Sequence, residues 1–316
     1  MNVEILFPRD RDEWLALRRR DVTASVAGAL LGVHPYTTAY QLWAEKSGRV
    51  EPENDDNPVL RRGRLLEPVI FAMLQEDRPD WAIEYPLGNQ YHRDRVARIG
   101  ATPDAFAKRP DRFGRGIVQG KTVFESDFRE KWLDQETGEV VLPLWIAVQA
   151  ITEAKLTHSE WAAVALMIVG RGIDLKTVDV PMHEGVWSRV SQAIRDFWNL
   201  IATGGEPDPE WERDGRTVLD VYANSLPDRR DLTDNASLDY QISLYVEARK
   251  QAAQLTATVE GLRPQILREI GSAEAAFTDR WSITARTTVR PGDFGVPIKS
   301  RVLRIKPREA AYADAF

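Results

Sequence analysis

The chain has 316 residues, 43% hydrophobic and 28% charged, which is enough for one full core and a smaller appendage. Its 42 Lys and Arg against 48 Asp and Glu leave a net charge of −6, which excludes a uniformly basic surface but leaves room for an Arg-lined groove in an acidic exterior. With no cysteine there is no disulfide, thiolate zinc site or iron–sulfur cluster, and with no apolar run of membrane length and no signal peptide at Glu4, Arg9 and Asp10, a cytoplasmic protein is expected.

In chain order, Trp14-Leu15-Ala16-Leu17 begins a helix, and residues 23–31 suggest a second, ended by Gly32. Thr38 and Gln41 fit a capping box opening a third, which Gly48 closes. Residues 51–58 form an acidic, proline-flanked loop. Leu66, Ile70, Met73 and Leu74 then recur at helical spacing, and Pro68 places Glu67 at or near a helix start or kink. Strands are predicted over 81–87, 96–101 and 116–123, a helix near 143–156, and further strands over 161–169 and 174–180. Val186, Val190, Ile194, Phe197 and Ile201 make an apolar helical stripe closed by Gly204-Gly205. Glu206-Pro207-Asp208-Pro209 marks a boundary. Beyond it a long amphipathic helix begins near Leu238, which Pro264 should kink or break, and residues 281–284 and 302–305 look like a short strand pair.

Chemistry concentrates in two stretches. Ala101-Thr102-Pro103-Asp104 is followed, 15 residues after Asp104, by Gln119 in Gly116-Ile117-Val118-Gln119-Gly120-Lys121-Thr122. A strand turns Gln119 and Lys121 to the same face, beside an Asp that can approach from a neighbouring strand. That arrangement suits phosphodiester chemistry, in which hard oxygens hold a divalent ion and an ammonium orients water or stabilises charge on the phosphate. Lys121 on an apolar strand needs a partner or a task. Arg11, Arg18, Arg19, Arg20, Arg61, Arg62 and Arg64 cluster near these motifs, although each is equally well explained as part of a solvated helix face. The four histidines lack metal-ligand spacing and read as surface or turn residues, and the helical tryptophans read as core.

Three further blocks make the pattern specific: residues 18–25 running into Ala29-Leu30-Leu31-Gly32-Val33-His34-Pro35-Tyr36 and 40–48, then Arg62-Gly63-Arg64-Leu65-Leu66-Glu67-Pro68, then Gln149 on the helix after the Lys121 strand. In this order, over about residues 10–200, the chain resembles the YqaJ-type viral recombinase family, which includes phage lambda exonuclease and belongs to the PD-(D/E)XK nucleases. The resemblance and the helices on both sides of the sheet imply a three-layer α/β nuclease core with a mixed central sheet flanked by helices, and the long helix and strand pair beyond it read as a C-terminal helical arm with a small β unit. Residues 1–205 are read as the nuclease domain, 206–235 as linker and 236–316 as appendage. It implies Glu67 and Asp104 as ligands of Mg²⁺ or Mn²⁺, with Gln119 where the family has Glu or Asp. Lys121 would position the nucleophilic water, Gln149 would contact the site from its helix, and Arg18 with Ser25 would hold a 5′-terminal phosphate.

The activity so implied is exonucleolytic, from 5′ ends of linear duplex DNA, leaving a 3′ single strand for an annealing protein in phage-type recombination, with a homo-oligomer such as a trimeric ring enclosing the duplex. Because Gln119 removes one carboxylate, a catalytically weakened module that binds DNA ends remains an alternative, as does an endonuclease on the same core.

Overall fold

The computed structural model describes residues 2–51, 57–86, 90–291 and 296–308. The acidic loop expected over 51–58 lies largely outside these, as does the end of the strand expected over 81–87. Two compact units result, Met1–Leu226 and Pro227–Phe316.

The first unit is built on a five-stranded sheet of order β3-β6-β7-β8-β9, comprising Ala82–Glu84, Ala105–Lys108, Gly116–Phe124, Trp161–Val169 and Ile173–Val180. β7 and β8 are parallel and the other pairs antiparallel, so the sheet is mixed. β8 is buried along nearly its whole length, as a central strand covered on both faces must be. On one face Ile70, Phe71 and Leu74 of α3 (Pro58–Asp77) pack on Val118, Ala163, Ala165 and Met167. On the other, Ile146, Ala150, Ile151 and Ala154 of α5 (Leu144–Leu156) pack on Ile117, Val164 and Leu166. Helix, sheet and helix make the three-layer core, held by apolar alternation along β7 and β8.

A second, four-stranded sheet of order β1-β4-β5-β2 comprises Val3–Leu6, Tyr91–Asp94, Ile99–Ala101 and Val22–Thr23. β2 leaves α1 (Arg11–Arg20) and leads into a 3₁₀ helix, Ala24–Leu31, where one ordinary helical segment was expected over 23–31. Gly32 ends it at φ 67°, in the left-handed region. The junction is fixed by Asp21, fully buried, which accepts from Arg93 Nε and Nη2 at 2.7 and 3.0 Å and from the Tyr91 hydroxyl at 3.2 Å. Gly100 pairs with Thr23 across β5 and β2, and a Cβ there would fall 2.0 Å from the Tyr91 oxygen. The residues that follow Thr23 are therefore positioned by a tight, charge-anchored corner.

Several expectations need correction. Glu67 is not at a helix start: α3 begins at Pro58, behind an Asn57 cap whose Oδ1 accepts from Val59 N at 2.8 Å, and continues through Pro68. Pro68 is exposed, so the carbonyl left without its helical donor can bind water. The segment expected as a linker over 206–235 holds α7 (Trp211–Val221), and α6 (Glu184–Ala202) precedes it. Asp214 of α7 is fully buried, accepting from the Thr38 hydroxyl at 2.6 Å and from Glu210 N at 2.7 Å. Thr38 also caps α2 (Ala39–Lys46) in the expected capping box with Gln41. The buried Asp214 anchors α7 beside Val218 and Val221, which pack against the core, and this two-residue apolar contact is too short to stand out as a stripe in the sequence. His92 is buried rather than on the surface, and His34 is buried within a turn, its Nδ1 accepting from the Tyr36 and Thr37 amides.

In the second unit α8 (Ala236–Ile270) runs for 35 residues without breaking at Pro264, and none of its residues is buried. The short strand pair is larger than expected. It is an antiparallel sheet of order β10-β11-β12, comprising Ala275–Phe277, Trp281–Arg290 and Ile298–Pro307. No helix among the described residues is long and apolar enough to cross a membrane.

Candidate active site

Asp104 immediately precedes β6, whose Ala105 pairs with Val118 of β7. Its Oδ2 accepts a hydrogen bond from Gly120 N at 2.9 Å, which ties the carboxylate to the strand between Gln119 and Lys121. Ile117, Gln119 and Lys121 alternate onto the face that α5 covers. There the Lys121 ammonium donates to Gln149 Oε1 at 3.2 Å, and Gln149 Nε2 donates to Glu153 Oε1 at 2.9 Å. Gln149 thus links a lysine on β7 to a carboxyl group one helical turn away on α5.

Glu67 is half-buried on α3. Burial, then the Asp104 charge, push its pKa up to about 7, while Lys121 draws it down. Burial also raises Asp104, opposed by Lys121 and by the Gly120 N–H. Two carboxylates that disfavour their own charge gain from a nearby divalent cation. Among the described residues no group of three His, Cys, Asp or Glu side chains is arranged to hold a metal. Gln119 offers a neutral oxygen nearby on β7: its side chain is fully buried, and neither its Oε1 nor its Nε2 has a hydrogen-bond partner. Two carboxylates and a buried amide oxygen with no donor fit a hard divalent ion.

A second group of residues centres on Arg18. Its Nη2 donates to Ser25 Oγ at 3.2 Å, and Ser25 Oγ also lies 3.0 Å from Thr23 Oγ1. The guanidinium carbon is 4.4 Å from the centre of the Trp14 ring, whose Nε1 donates to Thr102 Oγ1 at 3.0 Å, two residues before Asp104. Burial lowers the Arg18 pKa, and Glu153 is among the charges that raise it, so the two groups share one electrostatic environment.

The family model described as YqaJ-like viral recombinase domain matches residues 13–158, a span containing Arg18, Ser25, Glu67, Asp104, Gln119, Lys121 and Gln149. Over that span the chain is similar to the YqaJ-like viral recombinase domain. The uncharacterized protein YqaJ of Bacillus subtilis (strain 168) is 24% identical over 276 residues, covering 84% of this chain and 80% of that protein. Among solved structures, an alkaline exonuclease (LHK-Exo) from Laribacter hongkongensis is 15% identical, covering 66% of this chain and 98% of that one with a TM-score of 0.44. A putative exonuclease from Eubacterium rectale is 11% identical, covering 72% and 97% with a TM-score of 0.46.

Within residues 13–158 the fold brings Asp104, Gln119, Lys121 and Gln149 together, with Glu67 in electrostatic reach, and it pairs Arg18 with Ser25. Sequence reasoning missed Glu153, which is 2% exposed and four residues after Gln149 on one face of α5. That spacing was the available signal. It also missed a cluster in which His34, Tyr36 and Trp145 meet edge to face, with ring centres 5.3 to 6.0 Å apart. Burial lowers the His34 pKa, and Lys121 is one of the charges that add to this. Tyr36 is 77% exposed.

Proposed function

We propose that the Met1–Leu226 unit is a metal-dependent deoxyribonuclease that digests linear duplex DNA from its 5′ ends, leaving a 3′ strand for a single-strand annealing partner in phage-type recombination. The observation that carries this reading is the Lys121 ammonium, oriented by Gln149 beside an Asp104 that is fixed to the same strand. A lysine on an apolar strand needs a partner or a task, and one set among these carboxylates is placed to meet a phosphate as well.

Glu67, Asp104 and the Gln119 Oε1 would hold Mg²⁺ or Mn²⁺. Such an ion supplies Lewis-acid stabilisation of a phosphoryl oxygen and a more acidic bound water. Lys121 Nζ, with one N–H engaged by Gln149, keeps others for the attacking water or a non-bridging phosphate oxygen. Arg18 and Ser25 would take the terminal phosphate and set which bond lies over Lys121.

The test is release of nucleotides from linear duplex DNA with millimolar Mg²⁺ or Mn²⁺, with covalently closed circles as control. Release from linear duplex alone is expected. Cutting of circles favours the endonuclease reading, and tight binding of DNA ends without cleavage by either metal favours the binding module to which Gln119 points. A ring reconciles DNA binding with a net charge of −6 if Arg residues face inward. Light scattering should then report a trimer, and a monomer at micromolar concentration with and without DNA rejects the ring.

A further inference from the structure

Gln119, where the resembled family has Glu or Asp, is also a local energetic anomaly. Gln119 is fully buried, with both ends of its amide unpartnered. A buried polar group without a partner is destabilising, and Leu or Met would fill the same space without that cost. Facing it from α5 is a second anomaly: Glu153 is 2% exposed, Oε1 is taken by Gln149, and Oε2 has no partner. Burial and then Asp104 push the Glu153 pKa up to about 7, while Gln119, Gln149 and Lys121 each draw it down. Gln119 therefore lies within electrostatic reach of the free oxygen, without a hydrogen bond of normal geometry between them. Orphaned donor, orphaned acceptor and orphaned carbonyl oxygen are complementary.

We propose that Glu153 supplies, from the helix, the negative charge that position 119 lacks on the strand: its free Oε2 accepts from Gln119 Nε2, which turns the Gln119 carbonyl oxygen toward Asp104 as a donor to a divalent cation. The adjustment needs only rotation within the Gln119 side chain, since an amide presents an N–H₂ and a C=O on opposite sides. The carboxylate polarises the amide and fixes its orientation, as an outer carboxylate does for a metal-bound histidine. Glu153 is thus a positioning residue. The same carboxylate holds Gln149, and through it Lys121, so one buried charge orients both the third oxygen and the ammonium.

The inference rests on the metal-dependent reading of the site, and its test reads metal binding separately from cleavage. Mn²⁺ binding to the full chain is titrated by electron paramagnetic resonance for the starting protein, Glu153→Gln, and the exchanged double variant Gln119→Glu/Glu153→Gln. Glu153→Gln should weaken Mn²⁺ binding about 10- to 100-fold with an unchanged circular dichroism spectrum, the range typical of outer partners of a ligand. The double variant returns the carboxylate to the strand and should recover affinity to within about threefold of the starting protein, a coupling that a merely structural glutamate would not produce. If Glu153→Gln does not fold, Gln119→Met, which removes the amide, should show the same loss by itself. Unchanged affinity in Glu153→Gln or in Gln119→Met, or a double variant no better than Glu153→Gln, overturns the inference. A starting protein that cuts DNA while Glu153→Gln binds Mn²⁺ normally refutes this inference alone. One that binds Mn²⁺ through Glu153 without cutting DNA refutes the nuclease reading alone, and no Mn²⁺ binding refutes both.

Discussion

Replacing Lys121 with Ala, or Asp104 with Asn or Ala, is expected to lower Mg²⁺-dependent nucleotide release from linear duplex DNA by on the order of 10²–10³-fold or more, the usual consequence of removing one preorganised charge from a polar transition state. The two residues act differently. Lys121 donates a hydrogen bond to Gln149, so its removal should leave the sheet intact and slow the chemical step while DNA is still bound. Asp104 also receives Gly120 N, and Asp104→Ala leaves that strand amide unpaired at a cost of about 1–3 kcal/mol. Asp104→Asn retains an acceptor for Gly120 and removes only the charge, so loss of activity in Asn as well as Ala separates metal holding from strand support. Circular dichroism and thermal unfolding serve as controls. Full activity in Lys121→Ala or in Asp104→Asn would refute the assignment of the site.

How far the sequence anticipated this arrangement depended on the kind of signal each element carried. Strands β7 and β8 and helix α6 were legible because one or two clean apolar faces dictate their period, and the capping box at Thr38 and Gln41 is a local hydrogen-bond pattern that needs no tertiary context. Asp104 and Lys121 were placed together because strand alternation and a short connection restrict where they can go. Features set by tertiary polar contacts were not legible. α7 is docked by Asp214 on Thr38, 176 residues away, and nothing near Asp214 in sequence announces that partner. Pro68 reads as a helix breaker until its exposure is known. Glu153 went unread because its significance lies in being buried near a strand residue, Gln119, that is itself unusual. A residue that compensates another is visible only when both are placed.

A duplex with a 5′-phosphate is expected to be digested at least about tenfold faster than the same duplex with a 5′-hydroxyl, and Arg18→Ala is expected to erase the difference. Among the described residues Arg18 makes no ion pair. Its recorded contacts are the Ser25 hydroxyl and the Trp14 ring, both weak enough to exchange for a doubly charged phosphate. Burial that lowers its pKa means the guanidinium is short of compensating charge. A charge-assisted bidentate contact in such a setting contributes about 1.5–3 kcal/mol, which sets the tenfold floor. The corner that aims these residues, with Asp21 on Arg93 and Gly100 under Tyr91, keeps Ser25 fixed whether or not a phosphate is present. Arg18→Lys keeps the charge but not the planar fork and should fall between the two. Because Trp14 is tied to Thr102 beside Asp104, the competing explanation is that Arg18→Ala slows every substrate by disturbing Asp104. The 5′-hydroxyl duplex decides this: its rate should be nearly unchanged in Arg18→Ala if the residue reads the phosphate, and should fall in parallel if it only props Trp14. Equal rates on the two duplexes in the starting protein would remove the phosphate pocket altogether.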